Sequence, residues 1–318
     1  MAYLFVHFRE KTTPNGEQVY FGVSKDGLHW EAVNDGEPVL WHYYGTKGGR
    51  DFTVVRSQFD GKFYIIGTDL SVAYGYRQYG PQKFWEMAGN HGSECLSVFA
   101  SDDLVHWSEQ RLLDFSGNGF GCVWAPDILF DKEAGDYILH WSSSTADNGY
   151  TNKRIYYSRT KDFMEFSKPE VLYGPEEYDV IDSAMYEEDG KYYLFVKSYG
   201  PDCHGVIELV SEQITGPFER VEGYRLHEDA DSTKYEAATC LKLPDGRWCL
   251  FLDYYGAAGA AQGYVPFIAD RLADGNFIRS EAEFSFPYRF KHGTVLTITD
   301  EEYERIKAHD WSDKGYVW

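Results

Sequence analysis

The sequence predicts an all-β protein, a five-bladed β-propeller closed by pairing of its N- and C-terminal strands. Three observations predict it. A turn followed by an aromatic strand recurs along the 318 residues, a second polar turn follows most copies, and convincing helical periodicity is nearly absent. We expect a single domain over residues 1–318, because no linker rich in Pro, Gly or Ser divides the chain.

The first repeat joins a short turn to a strand rich in aromatic and β-branched residues, a hairpin pattern. Its copies are residues 60–66, 134–139, 189–194 and 245–250, and residues 1–6 resemble the strand alone. The second repeat is typical of a turn between outer strands, and its copies include residues 24–30, 101–107 and 159–166. Each unit therefore has about four strands, and five such units arranged radially make a propeller.

The two chain ends are predicted to share one unit. Residues 3–8 have the sequence of a second strand that lacks a first, and residues 293–298 match the missing innermost strand. Pairing them would close the ring and remove an exposed sheet edge. Residues 300–307 are the best helix candidate, and they form a short segment.

An insertion interrupts the repeat spacing. The equivalent residues Lys62 and Asp136 are 74 residues apart, whereas the next two steps are 55 and 56 residues, so the extra length lies between Ser71 and Glu94. The insertion contains the aromatic residues Tyr74, Tyr76, Tyr79, Phe84 and Trp85. Such a loop either caps a cleft or packs over a blade edge, and both interpretations stay open.

Composition excludes several partner classes. The formal net charge of -21 repels phosphate backbones and anionic lipids, so we expect neither nucleic acid nor a membrane as a partner. No apolar run approaches the ~18 residues of a membrane span, and no signal peptide is recognisable. The five cysteines form no CxxC pair. We therefore expect reduced thiols and a cytoplasmic location. The oligomeric state stays open.

The innermost strands open with titratable residues in otherwise apolar segments. In a propeller these strands line the axis, so their first residues meet at one mouth of the central channel. The five residues are Asp51, Asp127, Asp182, Glu236 and His292. Like charges in a partly dry funnel raise one another's pKa and cost free energy. Stability therefore does not explain them, whereas an acid–base enzyme requires such convergent groups.

The ordered motifs resemble those of the family 43 glycoside hydrolases, which include arabinofuranosidases, β-xylosidases and arabinanases. The motifs are Arg50-Asp51, Trp124-Ala125-Pro126-Asp127, Ile181-Asp182, Tyr235-Glu236 and His292-Gly293. Each motif is a weak signal by itself. Together, and in this order, the motifs extend over nearly the whole chain. The resemblance implies an inverting, exo-acting glycosidase that releases a terminal pentose from plant-polysaccharide oligosaccharides. We favour α-L-arabinofuranose, with β-xylose and galactofuranose as alternatives.

The resemblance also implies catalytic roles. Asp51 matches the general base, Glu236 the general acid, and Asp182 the carboxylate that tunes the acid and positions the sugar. Inversion needs one protonated carboxyl on the leaving oxygen and one carboxylate that activates water, about 6.5–9.5 Å apart. Residues of non-adjacent blades can span that distance across a channel mouth.

Further residues are implied in binding. Arg289 falls where the family places an arginine on the terminal sugar, and Trp124 and Asp127 are counted as substrate-binding candidates. Asp127 is also similar to a family residue that is largely architectural. His292 matches a histidine at the channel axis, often beside a bound metal ion, commonly calcium. No organic cofactor is implied.

Two positions depart from the family pattern. Phe52 and Ser183 stand where proline is common after the aspartate, and each restores a backbone N–H that loosens the turn. The carboxylates that precede them are expected to keep their places.

Three rival interpretations were weighed. A sugar-binding or scaffolding propeller without catalysis stays open. A fructan-cleaving hydrolase would use a Glu-Cys acid with an Asn-Asp-Pro nucleophile, but no Asn-Asp-Pro occurs, and Glu94-Cys95 is expected on an outer strand. A metal-dependent hydrolase needs clustered ligands, and the ten histidines form no HxH or HExxH motif.

Overall fold

The computed structural model describes residues 1–9, 13–256 and 263–312. These residues form five four-stranded antiparallel sheets around a central axis, which confirms the predicted propeller. The strands are β1 (Ala2–Phe8), β2 (Tyr20–Ser24), β3 (Glu31–Ala32), β4 (Gly49–Arg56), β5 (Phe63–Asp69), β6 (Cys95–Ser101), β7 (Arg111–Asp114), β8 (Trp124–Asp131), β9 (Asp136–Ser143), β10 (Arg154–Thr160), β11 (Glu170–Tyr173), β12 (Val180–Glu188), β13 (Lys191–Ser198), β14 (Gly205–Ser211), β15 (Glu219–Arg220), β16 (Tyr235–Lys242), β17 (Trp248–Tyr254), β18 (Gly263–Ala269), β19 (Ile278–Arg279) and β20 (Lys291–Ile298).

Blades 1 to 4 each use four consecutive strands, and their innermost strands are β4, β8, β12 and β16. Blade 5 has the order β20, β1, β2, β3, so it joins the two ends of the chain. In its register Ala2 lies opposite Ile298 and Phe8 lies opposite Lys291. This confirms the prediction that the two ends of the chain pair in one blade. Each inner strand contacts the next, and β20 contacts β4, which closes the ring.

The second sequence repeat forms the same outer turn in three blades. In each copy a hydroxyl oxygen accepts a hydrogen bond from the backbone N–H three residues later, and a carboxylate accepts bonds from two further N–H groups. The hydroxyl and carboxylate pairs are Ser24 with Asp26, Ser101 with Asp103 and Thr160 with Asp162. These side chains satisfy turn donors that would otherwise lack partners.

The core lies between the blades rather than within one of them. Alternate side chains of a strand point to opposite faces, and each face packs against a different blade. On β1, Leu4 packs in a cluster with Ile65 of blade 1, whereas Phe5 packs with Phe251 of blade 4. Both faces are buried, which explains why β1 is a continuous apolar run rather than an alternating one.

Helices are few and short: α1 (Val72–Tyr79), α2 (Phe84–His91) and α3 (Asp300–Ala308). Helix α3 confirms the prediction for residues 300–307, and it begins with a capping box between Thr299 and Glu302. Helices α1 and α2 form the insertion and were not predicted, because eight residues show too little periodicity. Single 3₁₀ turns occur at Asn34–Gly36, Ala146–Asn148, Leu226–Glu228, Ser232–Lys234, Leu272–Asp274 and Glu281–Glu283. Across the described ranges, no helix has the length and apolar character to span a membrane.

Candidate active site

All five inner strands carry a β-bulge close to the end of the channel where they begin, which we call the mouth. In blade 1, Asp51 and Phe52 lie opposite the single residue Gly67. The other four blades have the same two-against-one register at the equivalent point. By this register Asp182 and His292 occupy the position of Asp51. In blades 1, 3 and 5 the bulge therefore aims a titratable side chain at the mouth.

The bulge also sets an uncommon backbone conformation. Asp51 has a φ of 53° and Asp182 a φ of 55°, and Ala125 and Ala237 at the equivalent positions have φ of 51° and 55°. This left-handed region is rare for residues other than glycine, although aspartate tolerates it better than most. Glu236 directly precedes this position in blade 4.

Side chains of the second strands hold the bulges of the following blades. In three cases a side-chain oxygen accepts a hydrogen bond from the backbone N–H of a bulge residue. The pairs are Ala125 N with Thr68 Oγ1 at 2.8 Å, Asp182 N with Ser142 Oγ at 3.0 Å, and His292 N with Asp253 Oδ2 at 3.2 Å. These bonds fix the relative positions of neighbouring blades at the mouth.

The mouth opens into a pocket of about 480 Å³. Its wall includes the three predicted catalytic carboxylates Asp51, Asp182 and Glu236, together with Trp124 and His292. The structure therefore brings together five of the seven residues that the sequence singled out. Asp127 and Arg289 are not among the described residues that line it.

Asp51 has the environment of an ionised carboxylate. His292 Nδ1 lies 3.2 Å from Oδ1, and the Thr68 hydroxyl donates a 2.9 Å hydrogen bond to Oδ2. Burial raises the pKa of the Asp51 carboxyl, but the charge of His292 and these hydrogen bonds outweigh burial and hold the pKa below its usual value. Asp51 can therefore accept a proton at neutral pH.

His292 is a protonated partner of that carboxylate. Burial lowers its pKa, but the charge and hydrogen bond of Asp51 dominate and raise it to about 9. Calcium prefers six to eight oxygen ligands. Nowhere in the described ranges do three or more His, Cys, Asp or Glu side chains form a metal-binding group. The calcium ion therefore stays a prediction, and no step below uses it.

Glu236 has the opposite environment. Burial raises the pKa of its carboxyl to about 8, and the charges of Asp182 and Asp253 act in the same direction. Burial likewise raises the pKa of Asp182 to about 6, against the charge of His292. The tuning of Glu236 by Asp182 agrees with the role that the resemblance implied. Glu236 holds its proton at neutral pH and can donate it.

Lys197 is a functional candidate that the sequence reasoning missed. It is fully buried on β13, and its Nζ donates hydrogen bonds to Thr233 O at 2.8 Å, Tyr235 O at 2.9 Å and the Tyr255 hydroxyl at 3.0 Å. These bonds fix the backbone that leads into Glu236. A lysine within an apolar strand is as misplaced as Asp182, and that signal could have revealed it.

A buried ion pair adjoins Glu236 as well. Asp253 lies opposite Glu236 in the β16–β17 ladder, and Lys291 Nζ is 2.8 Å from its Oδ1. Asp253 also accepts the His292 backbone N–H described above. Asp253 is the residue before the last of the apolar strand β17. A charged residue in an apolar strand is the signal that also marks Asp182 and Lys197, and it could have revealed Asp253.

Asp127 lies below the pocket and joins three blades. Its Oδ1 accepts a 2.9 Å hydrogen bond from Thr53 of blade 1, and its Oδ2 accepts a 3.1 Å bond from the Met185 backbone N–H of blade 3. Burial raises the pKa of this carboxyl to about 6. These contacts favour the architectural role over sugar binding. Arg289 is exposed on the segment before β20, and its sugar contact stays a prediction.

The insertion adds one aromatic ring to the pocket wall and packs another into a cluster of its own. Phe84 packs against Leu70 and Ala88 in a small cluster of its own. Its neighbour Trp85 lines the pocket, where its ring meets that of Trp124 edge to face at 6.3 Å. The pair Glu94-Cys95 stands at the start of β6, the third strand of blade 1, as expected.

Comparison with known proteins identifies the family of the chain. A family model described as a probable glycosyl hydrolase domain, related to glycoside hydrolase family 43, matches residues 1–304. An α-L-arabinofuranosidase of Bifidobacterium longum subsp. longum is 27% identical over 214 residues, which cover 59% of this chain and 19% of that protein. The chain thus spans about a fifth of the length of this curated relative.

Solved structures share the fold at low identity. A thermostable family-43 glycoside hydrolase matches with a TM-score of 0.60 and 14% identity, covering 91% of this chain and 90% of its own. An endo-1,4-beta-xylanase from Bacteroides thetaiotaomicron matches with a TM-score of 0.58 and 16% identity, covering 92% of each chain. With its motifs, propeller and family match in agreement, the chain belongs to the glycosyl hydrolases related to family 43.

Proposed function

We propose that this glycosyl hydrolase is an exo-acting, inverting enzyme that releases a terminal pentose, with α-L-arabinofuranose favoured. The observation that carries the proposal is the opposed protonation of two carboxyls in one pocket, Glu236 protonated and Asp51 ionised. The curated relative described as an α-L-arabinofuranosidase supports the choice of sugar. The exo-acting mode is what the family resemblance implies.

In the proposed reaction Glu236 gives its proton to the glycosidic oxygen as the bond to the anomeric carbon breaks. Asp51 removes a proton from a water molecule whose oxygen attacks that carbon from the opposite face. The sugar leaves with inverted configuration, and both carboxyls regain their states by exchanging protons with solvent. Proton transfers of this kind contribute about 10²–10⁴-fold each.

The neighbouring residues support these two roles. His292 holds Asp51 ionised and oriented, and Asp182 favours the protonated form of Glu236. Trp124 offers an aromatic wall to the sugar ring, in keeping with its implied binding role. We propose that Arg289 reaches the terminal sugar from the rim.

A panel of nitrophenyl α-L-arabinofuranoside, β-D-xyloside and β-D-galactofuranoside tests the proposal. Glu236→Gln and Asp51→Asn should each lower kcat by at least about 10²-fold, whereas Glu94→Gln, a carboxylate on an outer strand, should not. NMR of the first-formed sugar should show the inverted anomer. If the parent hydrolyses none of the glycosides, the non-catalytic sugar-binding propeller remains as the explanation. Full activity of Glu236→Gln would overturn the role of Glu236 as the general acid.

A β-xylosidase is the second candidate, because the family that the motifs resemble includes β-xylosidases. Galactofuranoside is the third substrate considered. The three sugars differ in ring size and in one or two hydroxyl positions, so relative kcat/KM values across the panel decide between them.

A further inference from the structure

Exposed aromatic side chains are concentrated on the face of the propeller that carries the pocket. This face is formed by loops that precede the inner strands or join second to third strands. It carries Tyr43, Tyr44, Tyr74, Tyr79, Trp85 and Tyr199. On the opposite face of the described structure, Phe59 is the one aromatic side chain with comparable exposure. Packing alone predicts no such asymmetry.

Two of these rings belong both to the pocket wall and to the surface. Trp85 of α2 is 47% exposed, and Tyr199, in the loop after β13, is 40% exposed. They come from blades 1 and 3, so they flank the opening from different sides.

Each of the two rings is held in place by a cation. The Arg50 guanidinium lies 5.7 Å from the Trp85 ring centroid, and Lys197 Nζ lies 5.4 Å from that of Tyr199. Arg50 and Lys197 are themselves anchored, the first by Glu17 at 3.1 Å and the second by its backbone contacts. Contacts of this kind are modest at exposed sites, and they favour the ring positions seen in the structure.

We propose that Trp85 and Tyr199 form a binding subsite for the sugar unit that adjoins the terminal one, just outside the pocket. The occupant is a neutral oligosaccharide, because the subsite is continuous with the pocket and the chain's net charge of -21 opposes an anionic ligand. Apolar faces of sugar rings pack on aromatic rings, and their hydroxyls stay in water. The inference rests on the proposed function and narrows its substrates to chains longer than one sugar.

The test measures binding in the Glu236→Gln background, which preserves the substrate. Isothermal titration compares α-1,5-arabinotriose with methyl α-L-arabinofuranoside, or the corresponding xylose or galactofuranose pair if the parent prefers that sugar. Trp85→Ala should lower the affinity ratio of trisaccharide to methyl glycoside about tenfold. Tyr199→Ala should act in the same direction, and Trp85→Phe should restore most of the ratio. Phe59→Ala, an exposed aromatic on the opposite face, should change neither ligand's affinity.

The outcomes separate this inference from the proposed function. An unchanged ratio in Trp85→Ala, with a parent that hydrolyses glycosides, would overturn the subsite and leave the glycosidase. A lowered ratio with a parent that hydrolyses nothing would support the subsite and overturn catalysis. Loss of a dimer in Trp85→Ala, with sugar binding unchanged, would identify a self-association surface and overturn the subsite.

Discussion

At the scale of single residues, Asp51 and Glu236 differ in partners rather than in burial. Both carboxyls lie in the same pocket, but Asp51 faces the His292 imidazolium whereas Glu236 faces other carboxylates. The reaction needs the first ionised and the second protonated. The rate should therefore fall at acid pH, as Asp51 gains a proton, and above a pH of about 8, as Glu236 loses its own.

The buried Lys197 should set part of that pH dependence. Lys197→Met removes a positive charge near Glu236, which favours the protonated acid and should move the alkaline limb of kcat/KM to higher pH. The variant should also lower kcat, because the carbonyls of Thr233 and Tyr235 lose their donor. Lys197→Arg keeps the positive charge, so the pH at which its kcat/KM falls on the alkaline side should stay near that of the parent. If the alkaline fall of kcat/KM in Lys197→Met occurs at the same pH as in the parent, Lys197 does not set this part of the pH dependence.

Glu208 should make the fold less stable at alkaline pH. Its side chain on β14 is fully buried, and neither carboxyl oxygen has a hydrogen-bond partner among the described residues. Burial and the charges of Glu188 and Asp274 raise its pKa well above the usual value. The folded state thus keeps a proton that the unfolded state loses above a pH of about 4.3, so the free energy of unfolding falls as pH rises.

Urea denaturation between pH 5 and 9 checks this expectation. Glu208→Gln should lose less unfolding free energy over that range than the parent does. Glu165→Gln, at an exposed turn, should reproduce the parent's pH dependence. If the unfolding free energy of the parent and of Glu208→Gln changes equally with pH, Glu208 does not titrate as proposed.

At the scale of the element, the β-bulge is the device that positions the site. It recurs in every inner strand, but it holds a titratable side chain in only some of them. In blade 2 the bulge position is Ala125, with a φ of 51° and no role in the pocket chemistry. The conformation there costs about 1–2 kcal/mol relative to a relaxed residue.

Ala125→Gly should therefore stabilise the protein by about 0.5–1 kcal/mol, since relief of the strain exceeds the entropy that glycine adds to the unfolded chain. Ala184→Gly, at a buried strand position without a positive φ, should instead destabilise it by about 0.5–1 kcal/mol. Chemical denaturation of both variants measures the difference. Destabilisation of similar size in the two would contradict the strain at Ala125.

At the scale of the whole molecule, the pocket depends on ring closure. Its residues come from all five blades, and blade 5 exists only when β1 pairs with β20. Damage to β1 should therefore affect a site built mainly from other blades. The clusters between blades provide this coupling, because β1 packs against blade 1 on one face and against blade 4 on the other.

Leu4→Ala tests that coupling. Leu4 is fully buried on β1, and its truncation should cost about 2–5 kcal/mol of unfolding free energy. Thermal loss of glycosidase activity should shift down together with the far-UV circular dichroism transition. Val171→Ala, at a 46% exposed position on β11, should change stability by less than about 0.5 kcal/mol. The coupling would be contradicted if the midpoint temperature of the circular dichroism transition fell while the midpoint temperature of activity loss did not change.

Much of this architecture could be predicted from the sequence because its signals are local. Turn residues followed by an aromatic strand specify a hairpin within a few positions. Four such copies, with the lone strand at residues 1–6, indicate the five units of the propeller. Asp51, Asp182, Glu236 and His292 stood out because a titratable group in an apolar strand has no local reason to be there. The helices of the insertion were missed because they are stabilised by packing of Phe84 and by N–H bonds to Glu17, which is distant in sequence.

The sequence by itself determined the blades and the titratable side chains at the mouth, since strand and turn patterns act between near neighbours. It also indicated the closure, because the first strand has no partner nearby in the chain and residues 293–298 match the missing one. Only the tertiary structure decided the environment of each group, which holds the Asp51 carboxyl ionised and the Glu236 carboxyl protonated. That environment depends on through-space partners such as His292 for Asp51, and Asp253 for Glu236. A pKa follows distance and burial rather than order along the chain, so residues from different blades set it together.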